Sequence, residues 1–221
     1  ESSFITLTYS AENMPADWSL HKEDFQYFMK RLRKRAMTRY GKKIRYKMVG
    51  EYGDNKEPWR KTTLGRPHFH ALIFGMDFHE TRRSEFQGGY KECLDLEEAW
   101  LDQGHIHVAD MNQERANYVC KYILKKIGGD LADDHYQWVD KATGEVHQVT
   151  PEFSTQSNRP GIGAAWFEKY KHDLYKGYVT IKGKKFPVPK YYEEKLEAEG
   201  FNPLQVKKLD SPDKSREFQG Q

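Results

Sequence analysis

Residues 66–75 read RPHFHALIFG, with His68 and His70 one residue apart at the head of an apolar run. Side chains at i and i+2 of a strand share a face, so the two imidazoles would stand side by side, roughly 6–7 Å apart at Cα. That spacing lets two ring nitrogens converge on one divalent ion, for which a carboxylate is the usual hard complement. Glu51 in MVGEYG is the acid that pairing of 44–52 with 68–75 would bring to that face. Alone, an HxH pair is as readily a hydrogen-bonded or half-exposed patch. A second one, His105 and His107 in GHIHV, has no acid in a comparable preceding strand and reads as structural. Tyr118 and Tyr122 in ANYVCKYILKK form another group, four residues apart and so on one helix face. Lys121 and Lys125 lie on their side, while Ala116, Val119, Ile123 and Ile127 make a separate apolar stripe. A phenol has a pKa near about 10. Neighbouring ammonium groups favour its ionised, nucleophilic form and hold phosphate. Taken together these residues describe metal-assisted phosphoryl transfer to a tyrosine. No GxxxxGK[ST] nucleotide loop is present.

The elements that must position these groups follow from periodicity. FITLTY (4–9) and IRYKMVGEY (44–52) alternate and are rich in β-formers, as are HFHALIFG (68–75) and HIHVAD (105–110), so all four are predicted strands. Helices are predicted at about 20–40, stopped by Gly41, at about 91–103, and at 114–127, stopped by Gly128-Gly129. The order β-α-β-β-α-β-α predicts an α+β fold, with an antiparallel central sheet of ferredoxin-like or RRM-like topology flanked by helices. Residues 1–130 form the expected catalytic domain and 131–221 a smaller C-terminal extension. That extension is expected to hold a hairpin around 142–144, a helix at about 164–176, a hairpin in YVTIKGKKFPVP and a last helix from about 190, with a frayed tail after Leu209. It is expected to pack on the catalytic domain and assist DNA binding.

Composition narrows the partners. Hydrophobic residues make 37% of 221, enough for a core, and aromatics make 14%, which serves packing or base stacking. No run approaches the roughly 18 apolar residues of a membrane span. Cys93 and Cys120 form no CxxC pair; both read as small buried hydrophobes of a reduced, intracellular chain. The net charge is only +3, but 30–47 (KRLRKRAMTRYGKKIRYK) contains no acid. Arg31, Arg33, Lys34, Arg35, Lys42, Lys43 and Arg45, with Lys125, are therefore candidate phosphate contacts, against the plainer reading of a solvated helix face. Arg159, Lys182, Lys184 and Lys185 could extend that surface.

With these motifs in view, the sequence resembles the HUH-endonuclease replication initiators of microviruses, the small single-stranded DNA phages, in their gokushovirus-type branch. FITLTYSAENMP is similar to their first motif, GRPHFHALIFG to the histidine motif and YVCKYILKK to the two-tyrosine motif; VGEYG and RPGIGAAWFEKY add to the likeness, which runs from about residue 4 to 190. The resemblance implies a nickase and strand transferase that starts rolling-circle replication through a 5′-phosphotyrosine. It implies His68, His70 and Glu51 as ligands of Mg²⁺ or Mn²⁺, Tyr118 and Tyr122 as nucleophiles, and Lys121 beside the nucleophile or phosphate. It further implies single-stranded origin DNA as partner, with a host helicase or polymerase alongside, and a monomer at work in the host cytoplasm. Such relatives carry a cysteine-containing segment ahead of their first motif, so the protein is expected to extend upstream of residue 1.

Other readings remain. A histidine-triad hydrolase needs a further histidine where this chain has Leu72. A plasmid relaxase places its tyrosine before the histidines. A non-catalytic single-strand binding module would need only the basic block and aromatics such as Trp59, Phe69 and Tyr90.

Overall fold

The computed structural model describes residues 1–122, 129–181 and 183–201, without the side chains of Tyr122 and Asp130. Lys125, Ile123, Ile127, the Gly128 stop, Lys182 and the tail after Leu209 lie outside the described residues. The chain divides into two compact units, 1–158 and 159–221.

In the first unit β1 (Ser2–Tyr9), α1 (Lys22–Tyr40), β2 (Arg45–Asp54), the short β3 (Arg60–Lys61) and β4 (Leu64–Phe74) follow in turn. Then come β5 (Arg82–Phe86), β6 (Gly89–Cys93), α2 (Leu94–Trp100), β7 (Gly104–Asp110) and α3 (Gln113–Tyr122). The unit closes with α4 (Ala132–His135), β8 (Gln137–Asp140), β9 (Val146–Gln148) and β10 (Phe153–Gln156). Seven strands form one sheet in the order β10-β2-β4-β1-β7-β6-β5, every neighbouring pair antiparallel. Its centre, β2-β4-β1-β7 with α1 and α2 as crossovers, is the expected ferredoxin-like arrangement.

Alternation sorts the two faces. Ile5, Leu7 and Tyr9 of β1, Met48 of β2, Phe69, Ala71 and Ile73 of β4, and Ile106 and Val108 of β7 point to one side. There they bury Phe25, Phe28, Met29, Leu32 and Ala36 of α1, spaced one helical turn apart, together with Leu96 and Trp100 of α2. Each such side chain contributes about 1.5–3 kcal/mol by leaving water. Gly41 ends α1 in the left-handed conformation (φ 63°), its N–H donating to Met37 O at 3.0 Å. On the opposite face Phe4, Val49 and Leu72 meet Val119 of α3. Thus α1 and α3 lie on opposite sides of the sheet.

Three expectations change. The helix expected at 91–103 is shorter, because residues 89–93 pair with β5 and because Leu101 and Asp102 adopt positive φ (56° and 53°), which ends the helix. The division between units falls after Asn158 rather than after residue 130, since β10 pairs with β2 in the main sheet. Cys93 is buried but Cys120 is exposed, one step round α3 from Val119, which faces the sheet. Among the described residues no helix is long and apolar enough to cross a membrane.

The second unit has its own small core. There α5 (Ala164–Tyr170), the hairpin of β11 (Tyr178–Ile181) and β12 (Lys184–Pro187), and α6 (Lys190–Ala198) enclose Phe167, Leu174, Val188 and Leu196.

Candidate metal and nucleophile centre

β2 and β4 pair with Glu51 directly opposite His68 and Val49 opposite His70. The shared parity places Glu51, His68 and His70 on the face that carries α3. A buried carboxylate, 2% exposed, results at the centre of the cluster. Glu51 Oε1 lies 2.9 Å from His68 Nε2 and 2.8 Å from His70 Nε2, and accepts the Tyr118 hydroxyl at 2.6 Å. One ligand atom from each of Glu51, His68 and His70 can be chosen so that all lie within 4.8 Å of one another.

The surroundings orient these groups. His68 Nδ1 is 3.0 Å from Arg66 O, which can only accept, so that nitrogen carries the proton. His70 Nδ1 is 2.8 Å from Thr6 Oγ1, directly across the β1–β4 pair. Both Nε2 atoms therefore face Glu51, the arrangement in which outer partners hold imidazoles for a cation. Phe4 stacks on the His70 ring at 5.3 Å between centroids, and Tyr118 packs edge-on at 5.2 Å.

The donor set fits a divalent ion. Two lone-pair nitrogens cannot sit under 3 Å from a carboxylate oxygen without a proton or cation between them, and Glu51 Oε2 is buried with no hydrogen-bond partner among the described residues. Burial by itself would raise the Glu51 pKa, but the hydrogen bonds of His68 and His70, followed by that of Tyr118, bring it down to about 2. Burial pushes His70 the other way, below the usual histidine value, against the pull of Glu51. An ionised carboxylate and a neutral imidazole are the states a metal requires.

Tyr118 is 40% exposed and projects from α3, whose first turn is capped by Asn112 Oδ1 accepting from the Arg115 N–H at 2.8 Å. Val119 holds the helix to the sheet. Tyr122 lies one turn further along α3, and Lys121 is exposed.

The basic block is placed elsewhere. The α1 residues Arg31, Arg33, Lys34 and Arg35 stand on the far side of the sheet from Glu51. Arg35 is held by Asp95 and Glu98, and Arg31 Nε donates to Ala99 O at 2.6 Å. Arg33 lies over the Tyr46 ring, and Lys42 meets Glu1. Lys34 and Lys43 are exposed. Arg45 shares the Glu51 face but is six residues away along β2. The second histidine pair does reach the cluster's face: β1 and β7 align His105 with Thr8 and His107 with Thr6, two strands from His68 and His70. His107 Nε2 is 3.0 Å from Phe86 O. Sequence reasoning missed Thr6 and Phe4 as supports of His70. Their signal was the parity of β1 opposite the HxH strand.

Fold and centre together define an α+β protein whose sheet carries a cation-ready Glu-His-His cluster with a tyrosine helix closed onto it. The chain belongs to the replication-associated protein ORF2 family, whose model matches residues 2–127, from β1 through α3. It is 28% identical over 203 residues to replication-associated protein VP4 of Bdellovibrio phage phiMH2K, covering 88% of this chain and 57% of that one. It is 29% identical over 208 residues to replication-associated protein ORF2 of Spiroplasma virus 4 (89% and 58%) and 29% over 206 residues to replication-associated protein ORF4 of Chlamydia phage 1 (89% and 46%). The resemblance to microvirus replication proteins read from the motifs is thereby borne out. The chain spans about half the length of these relatives. No solved structure matches.

Proposed function

We propose that this chain is the nicking and joining part of a phage replication initiator, cutting one strand of single-stranded origin DNA and keeping the 5′ end on a tyrosine. The observation that carries the reading is the convergence of His68 Nε2, His70 Nε2 and the Tyr118 hydroxyl on one oxygen of Glu51, all within 2.9 Å. Bound there, Mg²⁺ or Mn²⁺ would neutralise charge on the scissile phosphate and on the departing oxygen. Tyr118 loses its proton to water and its oxygen bonds to phosphorus. The P–O3′ bond breaks, and the 3′ oxygen takes up a proton. Phosphodiester energy is conserved in the tyrosyl ester, so the reverse attack by a 3′-OH reseals a strand without ATP. Tyr122, one turn along α3, supplies the second nucleophile for a second transfer, with Lys121 near the phosphate.

Unit 1–158 carries this chemistry in the proposal, and unit 159–221 assists DNA binding. Lys34 and Lys43, with the other cations of 30–47, hold DNA away from the cut, since α1 is behind the sheet. Lys125 and Arg45 are assigned to the same DNA path. Monomeric action in the host cytoplasm, with a host helicase or polymerase, belongs to the proposal.

The test is cleavage of single-stranded origin DNA on a denaturing gel. Cutting with Mn²⁺, none with EDTA, and none for Glu51→Ala or His68→Ala are expected. Binding without cutting, in folded and metal-loaded protein, would favour the single-strand binding module instead.

A further inference from the structure

Beside the centre lies a cavity of about 250 Å³ built by the β2–β4 connection, with His68 in its wall. Asp54, Lys56, Glu57 and Arg66 supply its polar groups. The loop is prebuilt. Asn55 Nδ2 donates to the carbonyls of Arg60 (3.3 Å) and Thr62 (3.0 Å), while its Oδ1 accepts the Glu57 N–H at 3.0 Å. Gly65 crosses so close that a Cβ there would stand 2.2 Å from Asp54 O. Gly53 leaves the His68 edge open, since a Cβ at 53 would sit 3.7 Å from His68 Cε1. Glu57 Oε1 steers Arg66 Nη2 at 3.3 Å, whereas the backbone O of Arg66 orients His68. Pocket and catalytic cluster therefore share a residue but use different atoms.

The lining holds two carboxylates and two cations, whose charges cancel. A seat for phosphate alone would not carry acids. A nucleobase edge, with donors and acceptors side by side, suits it. The volume falls just below the ~300–1,000 Å³ of ordinary ligand pockets, room for one base rather than a stacked run. A carboxylate can only accept and a guanidinium can only donate. Guanine offers two adjacent donors, N1–H and N2–H, to the first, and O6 with N7 to the second.

We propose that this cavity takes one unstacked guanine of the single-stranded DNA beside the scissile phosphate, read by Glu57 and Arg66, and so selects where the strand is cut. The proposal rests on the nickase reading. Base choice at that position then belongs to the loop, and the chemistry to the sheet.

The experiment is cleavage of a single-stranded DNA pool, randomised on both sides of the origin cut, by wild type, Glu57→Gln and Arg66→Ala, with the products sequenced. Guanine should be enriched at one position within about two nucleotides of the cut, and each variant should lower that enrichment about tenfold there and nowhere else. Variants that cut with wild-type preferences at every position overturn the proposal. Should a variant fail to cut, the same pool is selected for retention by Tyr118→Phe protein with and without Glu57→Gln. A lost guanine preference in the double variant supports the site, and an unchanged one overturns it. Wild type that neither cuts nor forms an adduct defeats the nickase reading itself, a result distinct from cutting with unmoved preferences.

Discussion

Glu51 Oε1 faces two imidazole nitrogens and a phenol while its other oxygen has no partner among the described residues. So lopsided a hydrogen-bond set is stable when positive charge sits among the nitrogens, which argues that the cluster is held ready for an ion. The supports matter as much as the ligands. Thr6→Val removes the oxygen 2.8 Å from His70 Nδ1 and keeps the β-branched shape that suits β1. It is expected to weaken Mn²⁺ binding about 10- to 100-fold, as loss of an outer partner does. Isothermal titration calorimetry measures this directly. Equal affinity in the two proteins would mean that Thr6 does not orient the ring.

At the scale of elements, the centre exists because α3 is pinned to the sheet through Val119 against Phe4, Val49 and Leu72. Leu72 is 3% exposed in that contact. Leu72→Ala should cost about 2–5 kcal/mol, read as a lowered urea midpoint. It should also slow cleavage more than it weakens metal binding, because the helix that carries Tyr118 loosens while the strands that carry the ligands stay paired. Much of this was legible beforehand. The four central strands alternate, and the Glu51–His68 register needed only the assumption that 44–52 and 68–75 pair. The β5–β6 hairpin was hidden, for four of five residues of β5 are exposed and no apolar alternation marks them. β10 was hidden for a similar reason, being a short polar edge strand. Nor does periodicity say which face of a sheet a helix will cover. For that reason the acid-free stretch 30–47 suggested a surface beside the metal, whereas α1 and the metal cluster are separated by the sheet.

For the whole molecule, the same separation makes two consequences measurable. Asp95 is fully buried and gathers Arg35, Arg39 at 3.3 Å, Tyr40 at 2.8 Å and Thr81 at 3.0 Å, tying α1 to α2 and the β5 entry. Burial opposes its ionisation, but the hydrogen bonds of Arg35, Tyr40 and Thr81 outweigh it and hold the pKa below the ordinary carboxylate value. The stability this group contributes is therefore complete above the unfolded value of about 3.9, and is lost as pH falls through the lower folded value. Asp95→Ala should destabilise by about 3 kcal/mol at neutral pH, and the gap from wild type should narrow in urea titrations at successively lower pH below about 4. A gap that does not change with pH would assign the effect to packing. The second consequence concerns DNA. Replacing Lys34 and Lys43 with Glu should weaken binding of long single strands and flatten its salt dependence by about 0.7 in log–log slope for each phosphate no longer neutralised. The cleavage rate at saturating DNA should stay the same. A fall in that rate would place these cations at the cut after all.

The most direct test of the central claim is the intact mass of the protein after reaction with single-stranded origin DNA and Mn²⁺. The account predicts a species heavier by the 5′-terminal product strand, abolished by EDTA, and mapped to Tyr118 or Tyr122 by digestion. It should be absent when both tyrosines are Phe. Strand cleavage with no adduct, or an adduct that survives the double substitution, would contradict it.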